Sequence, residues 1–434
     1  MDIGEARDYI IEFQGSKPPA MVPRELAIKT RTTLINTIIG PRRAGKTYFL
    51  HQLMQPLGIG SVLYLNFEDT RLLSATFKDF LALVNLHTEV TGKGPEYVFF
   101  DEPQNVASWE KGVRTLFDAG KFRIVLTGSS SKLLGSEIAT HLRGRSITHL
   151  LLPYSFREFL ASRGVEIPAM ASSSDAARLR NHLNEWLGFG GYPEVVKTED
   201  KNEKIKILEG YKDLIVYKDI IERHGAREPF LVKLLIDHLI ANSTREFSIN
   251  SFFNALKSRN ISVSKKTLYE YLSLIEDSVA VFVLEKWSPK LKEQRLSPKK
   301  AYLCDNGLAY RKAEEKSKVM ENAVFLELKR MQNLNPMLGI YYWKDYRQRE
   351  VDFVIRESRD TTRLIQVTYA TGRDGIRERE VSGLLAASGE LGCDTLEIIT
   401  WDYESSEKHG RKTITFTPLW KWLIMKNTGK HPKA

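Results

Sequence analysis

Eight consecutive residues, Gly40-Pro41-Arg42-Arg43-Ala44-Gly45-Lys46-Thr47, satisfy the pattern G-x-x-x-x-G-K-T. The chemistry that suits them is phosphate binding. The glycines let the backbone curl so that several N–H groups face a β-phosphate, and the start of the following helix adds partial positive charge. Lys46 is expected to reach the β- and γ-phosphates and the Thr47 hydroxyl to ligate Mg²⁺, which makes Mg-ATP the expected ligand. A second stretch, Tyr97-Val98-Phe99-Phe100-Asp101-Glu102, is an apolar run ending in two carboxylates. Asp101 is expected to hold Mg²⁺ through water, and Glu102 to act as general base on the attacking water. RIVLTGSSS offers Thr127 and Ser129 as sensors of the γ-phosphate, with Ser129 preferred; the alternative is that these hydroxyls cap the next helix. HLRGRS offers Arg143 and Arg145. Either could stabilise transition-state charge, in cis or in trans, or be a surface arginine. Glu68 and Asp69 end another strand and are either near the metal or simply solvated.

These groups need a scaffold that brings strand ends together. Residues 34–155 alternate short β-rich runs with helical stretches: 33–40, 61–69, 97–102, 123–130 and 147–153. Continuous apolar runs separated by crossover helices predict an open, mostly parallel α/β sheet. From Ser155 to about Asn242 the pattern is helical. MASSSDAARLRNHL (170–183) predicts a loop entering a helix, with Ser or Asp as N-cap, and GFGGYP (188–193) breaks the pattern. Residues 243–305 predict helices and a two-stranded wing. After a linker at 311–319, a second α/β unit occupies 320–434.

The motifs GPRRAGKT, NFED, FFDEPQNVASWE, LTGSSSKLL, LRGRS, LPYSFREFL, GGYPEVV, YKDLIVYKDIIERHG and LCDNGLAY together resemble the archaeal-type P-loop ATPases with an AAA-like core, relatives of initiator-type and STAND NTPases. The resemblance spans essentially the whole chain. It implies an AAA-like ATPase domain (1–155), a helical lid or linker region (156–242), a winged helix (243–310), and a restriction-endonuclease-like α/β domain of PD-(D/E)xK type (320–434).

Within the third region, 248–260 and 261–278 have the look of a helix–turn–helix. Asn260 suits the turn and Ser264 the N-cap, while Leu268, Tyr271, Leu272 and Ile275 share one face. Lys265 and Lys266 open the second helix. The following KWSPKLKEQRLSPKK (286–300) carries six Lys/Arg against one Glu. Lys290, Lys292, Arg295, Lys299 and Lys300 are therefore expected, with Lys265 and Lys266, to neutralise DNA phosphates without reading bases. The alternative is a winged helix that mediates contacts between domains or subunits.

The last domain resembles the nuclease core with altered chemistry. Glu327 on a helix and Asp352 in REVDFVI stand where the first two acids belong, with Glu350 beside the latter. The acid-x-Lys motif, however, reads Gln366-Val367-Thr368. Losing a carboxylate and the lysine predicts a catalytically dead, degenerate site, because metal-dependent hydrolysis needs clustered anionic oxygens. The structural alternative for Glu327 and Asp352 is a residual polar or salt-bridged cluster, with Arg347 or Arg349 as candidate partners.

A net charge of +10 on 434 residues favours a polyanionic partner. Cys304 and Cys393 lack short-spaced partners, which reads as buried reduced thiols and a cytoplasmic setting. No stretch has the roughly 20 apolar residues of a membrane span. The sequence thus predicts an ATPase acting on DNA, duplex or branched. The alternatives are a STAND-like switch or interaction protein and an active metal-dependent nuclease. Ring, dimer and monomer remain open.

Overall fold

A computed structural model describes residues 1–128, 144–312 and 314–425. The chain divides into two compact units: Met1–Leu152 with Asp277–Val279, and Pro153–Glu276 with Ala280–Ala434.

In the first unit, helix α1 (Ile3–Gly15) is capped by Asp2, whose carboxylate accepts the Glu5 N–H. Strand β1 (Ile35–Ile39) leads through the phosphate loop into α2 (Lys46–Met54). Then come β2 (Val62–Asn66), α3 (Phe80–Thr91), β3 (Tyr97–Asp101), α4 (Trp109–Asp118), β4 (Arg123–Gly128) and β5 (Ser146–Leu150). The sheet order is β2-β3-β4-β1-β5 with every neighbouring pair parallel. All five expected strands are present, and parallel pairing sets their carboxyl ends along one edge. Strands β1 and β3 are buried throughout, and β3 accordingly runs apolar without alternation up to Asp101, whereas β1 also buries Asn36 and Thr37. Phe67, Phe80 and Phe100 stack with ring centroids 5.0–6.0 Å apart beneath the acidic strand end. Burying such a side chain stabilises the fold by about 1.5–3 kcal/mol.

The second unit begins with α5 (Phe156–Ser162), held by a Ser155–Glu158 capping box, and α6 (Ser173–Phe189), capped by Ser172. Helices α7 (Pro193–Lys197) and α8 (Lys201–Leu214) follow, then a π-helical stretch Ile215–Glu222 and α9 (Pro229–Ala241). The GGYP break is explained by what it touches. The Gly191 N–H donates to Asp305 Oδ2 at 2.7 Å, and the Gly307 N–H to Oδ1 at 2.8 Å. Gly190 has φ +79°, and a Cβ there would collide with Asp305. Gly191 also accepts the Tyr154 N–H, and the Tyr154 carbonyl accepts Trp186 Nε1–H. The LPYSF, GGYP and LCDNG segments are therefore one interlocked packing motif.

Next come β6 (Glu246–Phe247), α10 (Ile249–Ser258), α11 (Lys265–Asp277), β7 (Val281–Leu284), α12 (Leu291–Leu296) and β8 (Lys299–Leu303). Asn260 takes φ +57° in the α10–α11 turn, and Leu268, Tyr271, Leu272 and Ile275 are buried as expected. The strands form an antiparallel sheet, β6-β8-β7. The basic stretch between β7 and β8 is not an open wing. It contains α12, and its Trp287 N–H donates to the Tyr342 carbonyl at 2.7 Å.

Helix α13 (Lys316–Leu334) starts inside the expected linker. It precedes β9 (Leu338–Lys344), β10 (Glu350–Glu357), β11 (Asp360–Val367), α14 (Glu378–Leu391), β12 (Leu396–Thr400), β13 (Ser405–His409), β14 (Lys412–Pro418) and α15 (Leu419–Ile424). The mixed sheet runs β13-β14-β12-β11-β10-β9. Both cysteines are free and buried. Among the described residues no helix is long and apolar enough to cross a membrane.

Candidate active site

The phosphate loop closes where β1 ends. Gly45 adopts φ +92° as the N-cap of α2, a left-handed conformation that a side chain would resist. Arg43 takes φ +64°. This path turns Lys46 back over the loop, where its ammonium, buried with the rest of the side chain, donates to the Gly40 carbonyl at 3.1 Å and the Pro41 carbonyl at 3.2 Å. Glu102 stands 3.7 Å from the same nitrogen. Arg24 braces the loop from outside, donating to the Ala44 carbonyl at 2.9 Å and to the Leu152 carbonyl.

The register of the sheet brings the other groups in. Asp101 follows Phe100, which pairs with Leu126, so Asp101 lies beside Thr127. Asp101 is buried and accepts three hydroxyls. Thr47 donates to Oδ2 at 2.7 Å, Tyr64 to the same oxygen at 3.0 Å, and Thr127 to Oδ1. Burial pushes the Asp101 carboxyl above its ordinary range; the Thr127 bond opposes the shift and the Glu102 charge reinforces it. Thr127 also accepts the Glu102 N–H at 3.0 Å, so its hydroxyl positions both acids. Glu102 sits at φ +51°, and Gln104 donates to its carboxylate. Such strained backbone persists only where surrounding contacts enforce it. Glu68 lies 3.9 Å from Arg42 and is held above the usual carboxylate range by partial burial and by Glu102.

These residues fit Mg-ATP. Thr47 and Asp101 present adjacent hard oxygens at a helix start, as Mg²⁺ requires. Lys46 is a buried cation resting on neutral carbonyls, a placement that leaves its charge for an anion. The bound metal would neutralise phosphate charge.

The other expected site residues divide. Thr127 is tied to Asp101 and Glu102, whereas Ser129 and Arg143 lie outside the described residues. For Arg145 the reading corrected is the one in cis. Its carbonyl accepts the Ile35 N–H, so it stands at the amino end of β5, opposite the phosphate loop. Its guanidinium pairs with Asp118 at 2.6 Å and covers the Phe117 ring. A five-residue strand spans about 16 Å, too far to reach the loop of its own chain. Asp69 pairs with Arg71 and caps the turn after β2. Tyr64, Gln104 and Arg24 escaped sequence reasoning. Tyr64 read as one more member of an apolar strand, and Arg24 belongs to no motif.

The acidic centre of the second unit also differs from expectation. Glu327 pairs with Arg157 at 2.7 Å and Arg330 at 3.5 Å, and does not join Asp352. The helix acid that does is Glu321, six residues earlier and on a different face of α13. Lys300, expected on a DNA surface, is buried and lies 2.6 Å from Glu350, 3.1 Å from Glu321 and 3.2 Å from Asp352. Gln366 accepts the Asp352 N–H at 3.2 Å, and Thr368 hydrogen-bonds Glu380. Neither expected arginine takes part, since Arg349 pairs with Asp345 and Arg347 with Tyr346.

The other expected DNA contacts are on the surface. Lys265 is exposed beside the Phe253 ring, and Lys266 pairs loosely with Glu270 at 3.8 Å. Lys292 and Arg295 are exposed, Lys290 pairs with Glu293, and Lys299 is half-buried against Glu285.

Residues 32–160 match a family model described as an AAA domain. Residues 180–318 and 316–422 match two domains of unknown function, DUF8612 and DUF4143. An uncharacterized protein of Methanocaldococcus jannaschii is 37% identical over 420 residues, 94% of this chain and 92% of that protein. One of Haemophilus influenzae is 31% identical over 350 residues, 78% and 83% of the two chains. Among solved structures, a DNA replication initiation factor is similar at TM-score 0.25 and 12% identity, over 57% of this chain and 88% of that one. AMPPCP-bound DnaA from Aquifex aeolicus is similar at TM-score 0.22 and 12% identity, over 72% and 92%. With its phosphate loop, acidic strand end and near full-length relatives, the chain belongs to a family of P-loop ATPases that join an N-terminal AAA domain to a C-terminal DUF4143 domain.

Proposed function

We propose that the protein binds Mg-ATP at the phosphate loop, hydrolyses it, and uses the cycle to act on DNA. The observation that carries the ATPase reading is the Thr47–Asp101 contact of 2.7 Å beside a lysine resting on its own loop. In this reading Lys46 leaves the Gly40 and Pro41 carbonyls for phosphate oxygens. Thr47 and Asp101 hold the metal, and the Tyr64 and Thr127 hydroxyls keep Asp101 oriented. Glu102, fixed through its N–H and by Gln104, takes a proton from the attacking water.

Glu102→Gln keeps the shape and removes the base. ATP binding is expected to persist while turnover falls by about 10²–10⁴-fold. Unchanged turnover would reassign the base.

The DNA reading rests on exposed cations on two elements of the region read as a winged helix: Lys265 and Lys266 on α11, and Lys290, Lys292 and Arg295 at α12. Such groups neutralise phosphates and make binding fall steeply with salt. Gel-shift titrations of duplex, single-stranded and branched DNA across a salt series test it. Reversing the charge of Lys265 and Lys266 is expected to weaken binding and flatten the salt slope. Salt-insensitive binding, or none to any of the three, would reject it.

A second reading, a slow nucleotide-dependent switch, is favoured by the self-contained resting contacts of Lys46 with Gly40, Pro41 and Glu102. It predicts an ATP-induced change in assembly size and no stimulation of turnover by DNA.

A further inference from the structure

The nuclease-like reading of the C-terminal domain implies a divalent cation held by its acids, and the residues present do not fit one. We propose that the Lys300 ammonium permanently fills that cation position, turning the acidic centre into a metal-free clasp between the β6-β8-β7 sheet and the C-terminal α/β core.

The stoichiometry is the first argument. An ammonium has three N–H donors and no acceptor. Three carboxylates face it, Glu321 from α13 and Glu350 and Asp352 from one face of β10, at 2.6–3.2 Å. Glu321 and Asp352 each accept a hydrogen bond from the ammonium, at 3.1 and 3.2 Å, and Glu350 pairs with it as an ion pair. Oxygen ligands of Mg²⁺ or Ca²⁺ stand closer, at about 2.0–2.6 Å.

The surroundings are closed as well. Lys300 is 2% exposed. The second oxygen of Asp352 accepts the Val367 N–H at 3.0 Å, and Tyr302, on the same face of β8 as Lys300, donates to Glu321 at 2.6 Å. Desolvation opposes a charged lysine here, yet Glu321, Asp352 and Glu350 hold it well above its ordinary range, so it stays an ammonium. Burial, together with the Asp352 charge, raises Glu321, which lowers the excess negative charge around one cation.

Chain path supplies the last argument. The motif position that would carry lysine is Thr368, on the strand side of the core, whereas Lys300 enters from β8. Because β8 is the central strand of the three-stranded sheet, its ammonium ties that sheet to α13 and β10. A lysine serving only to orient a nucleophile would not need to occupy the centre of all three acids.

The test is calorimetric titration of Ca²⁺ into nucleotide-free full-length protein, wild type and Lys300→Ala, with circular dichroism as the folding control. The wild type is expected to show no Ca²⁺ site that Asp352→Asn removes. Lys300→Ala is expected to gain one equivalent, at least about tenfold tighter than any wild-type binding and abolished by adding Asp352→Asn. Wild-type binding lost in Asp352→Asn, or a folded Lys300→Ala without a new site, would overturn the proposal. Should Lys300→Ala not fold alone, Ca²⁺ in the refolding buffer is expected to restore it, and failure to do so would count equally against it. Neither arm involves ATP or DNA, so the outcome is independent of the proposed function.

Discussion

Among the buried lysines, Lys46 and Lys300 have similar exposure and opposite meaning. Lys46 rests on two neutral carbonyls, with one carboxylate at 3.7 Å. Lys300 is surrounded by three carboxylates within 3.2 Å. Carbonyl dipoles compensate a buried charge only in part, so the first lysine gains by acquiring an anion. The second has its charge met in full and gains nothing from a ligand. Burial of a titratable group therefore does not distinguish a working site from a structural one. The partner set does.

The sharpest break between the two comes from removing each cation. Lys46→Ala is expected to cut ATP turnover by about 10³-fold, in line with the loss of one charged group that stabilises a transition state, while leaving thermal stability nearly unchanged. Lys300→Met should do the reverse. It strands three buried carboxylates, which costs about 3–5 kcal/mol of folding stability, as breaking a buried ion pair does. Denaturant unfolding alongside steady-state ATPase assays checks both. A stable Lys300→Met variant, or an unstable Lys46→Ala one, would erase the distinction.

The first lysine was legible in the sequence and the second was not, for a physical reason. Residues 40–47 are contiguous, and the loop places Lys46 by local backbone geometry alone. Asp101 and Glu102 end a strand whose apolar run marks it as buried, and all five parallel strands were readable the same way. Lys300 sits in a run of basic residues that composition alone assigns to the surface. Its burial depends on β8 meeting α13 and β10, a non-local event with no signature in spacing. The error over Glu327 has the same origin. Glu321 and Glu327 are both on α13, and helical periodicity cannot say which face meets β10. Arg145 shows a third limit: being near a sensor motif in sequence did not reveal that it begins a strand at the far edge of the sheet.

Asp305 sharpens the comparison with a buried carboxyl that takes its hydrogen bonds from two backbone N–H groups, those of Gly191 and Gly307. Burial pushes its carboxyl from 3.8 up to about 7, against the Gly191 and Gly307 N–H bonds and the more distant Arg330 charge. Because the folded pKa lies above the unfolded one, the folded chain binds this proton more tightly. The associated stability is complete below about pH 3.8 and is lost as pH rises through about 7. Asp305→Asn cannot ionise and should flatten that part of the stability-versus-pH curve, at a cost of about 1 kcal/mol from the altered hydrogen bonds. An undiminished slope in the variant would mean that another group titrates there.

The smallest expected effect belongs to Arg145, whose partner is neither buried nor catalytic. Its pair with Asp118 has side chains 33% and 48% exposed, a setting in which ion pairs contribute about 0–1 kcal/mol. Arg145→Ala should therefore lose little stability and, because the residue stands at the amino end of β5, no turnover within its own chain. The measurement also decides a question the single chain leaves open. If Arg145→Ala were to lose turnover tenfold or more, the arginine would have to act at another subunit's phosphate loop. Mixing it with Lys46→Ala would then restore activity, since each assembly would contain interfaces with one intact loop and one intact arginine. A loss that mixing does not restore would instead trace to Asp118 and the packing of α4, leaving Lys46 and its neighbours as a site completed within one chain.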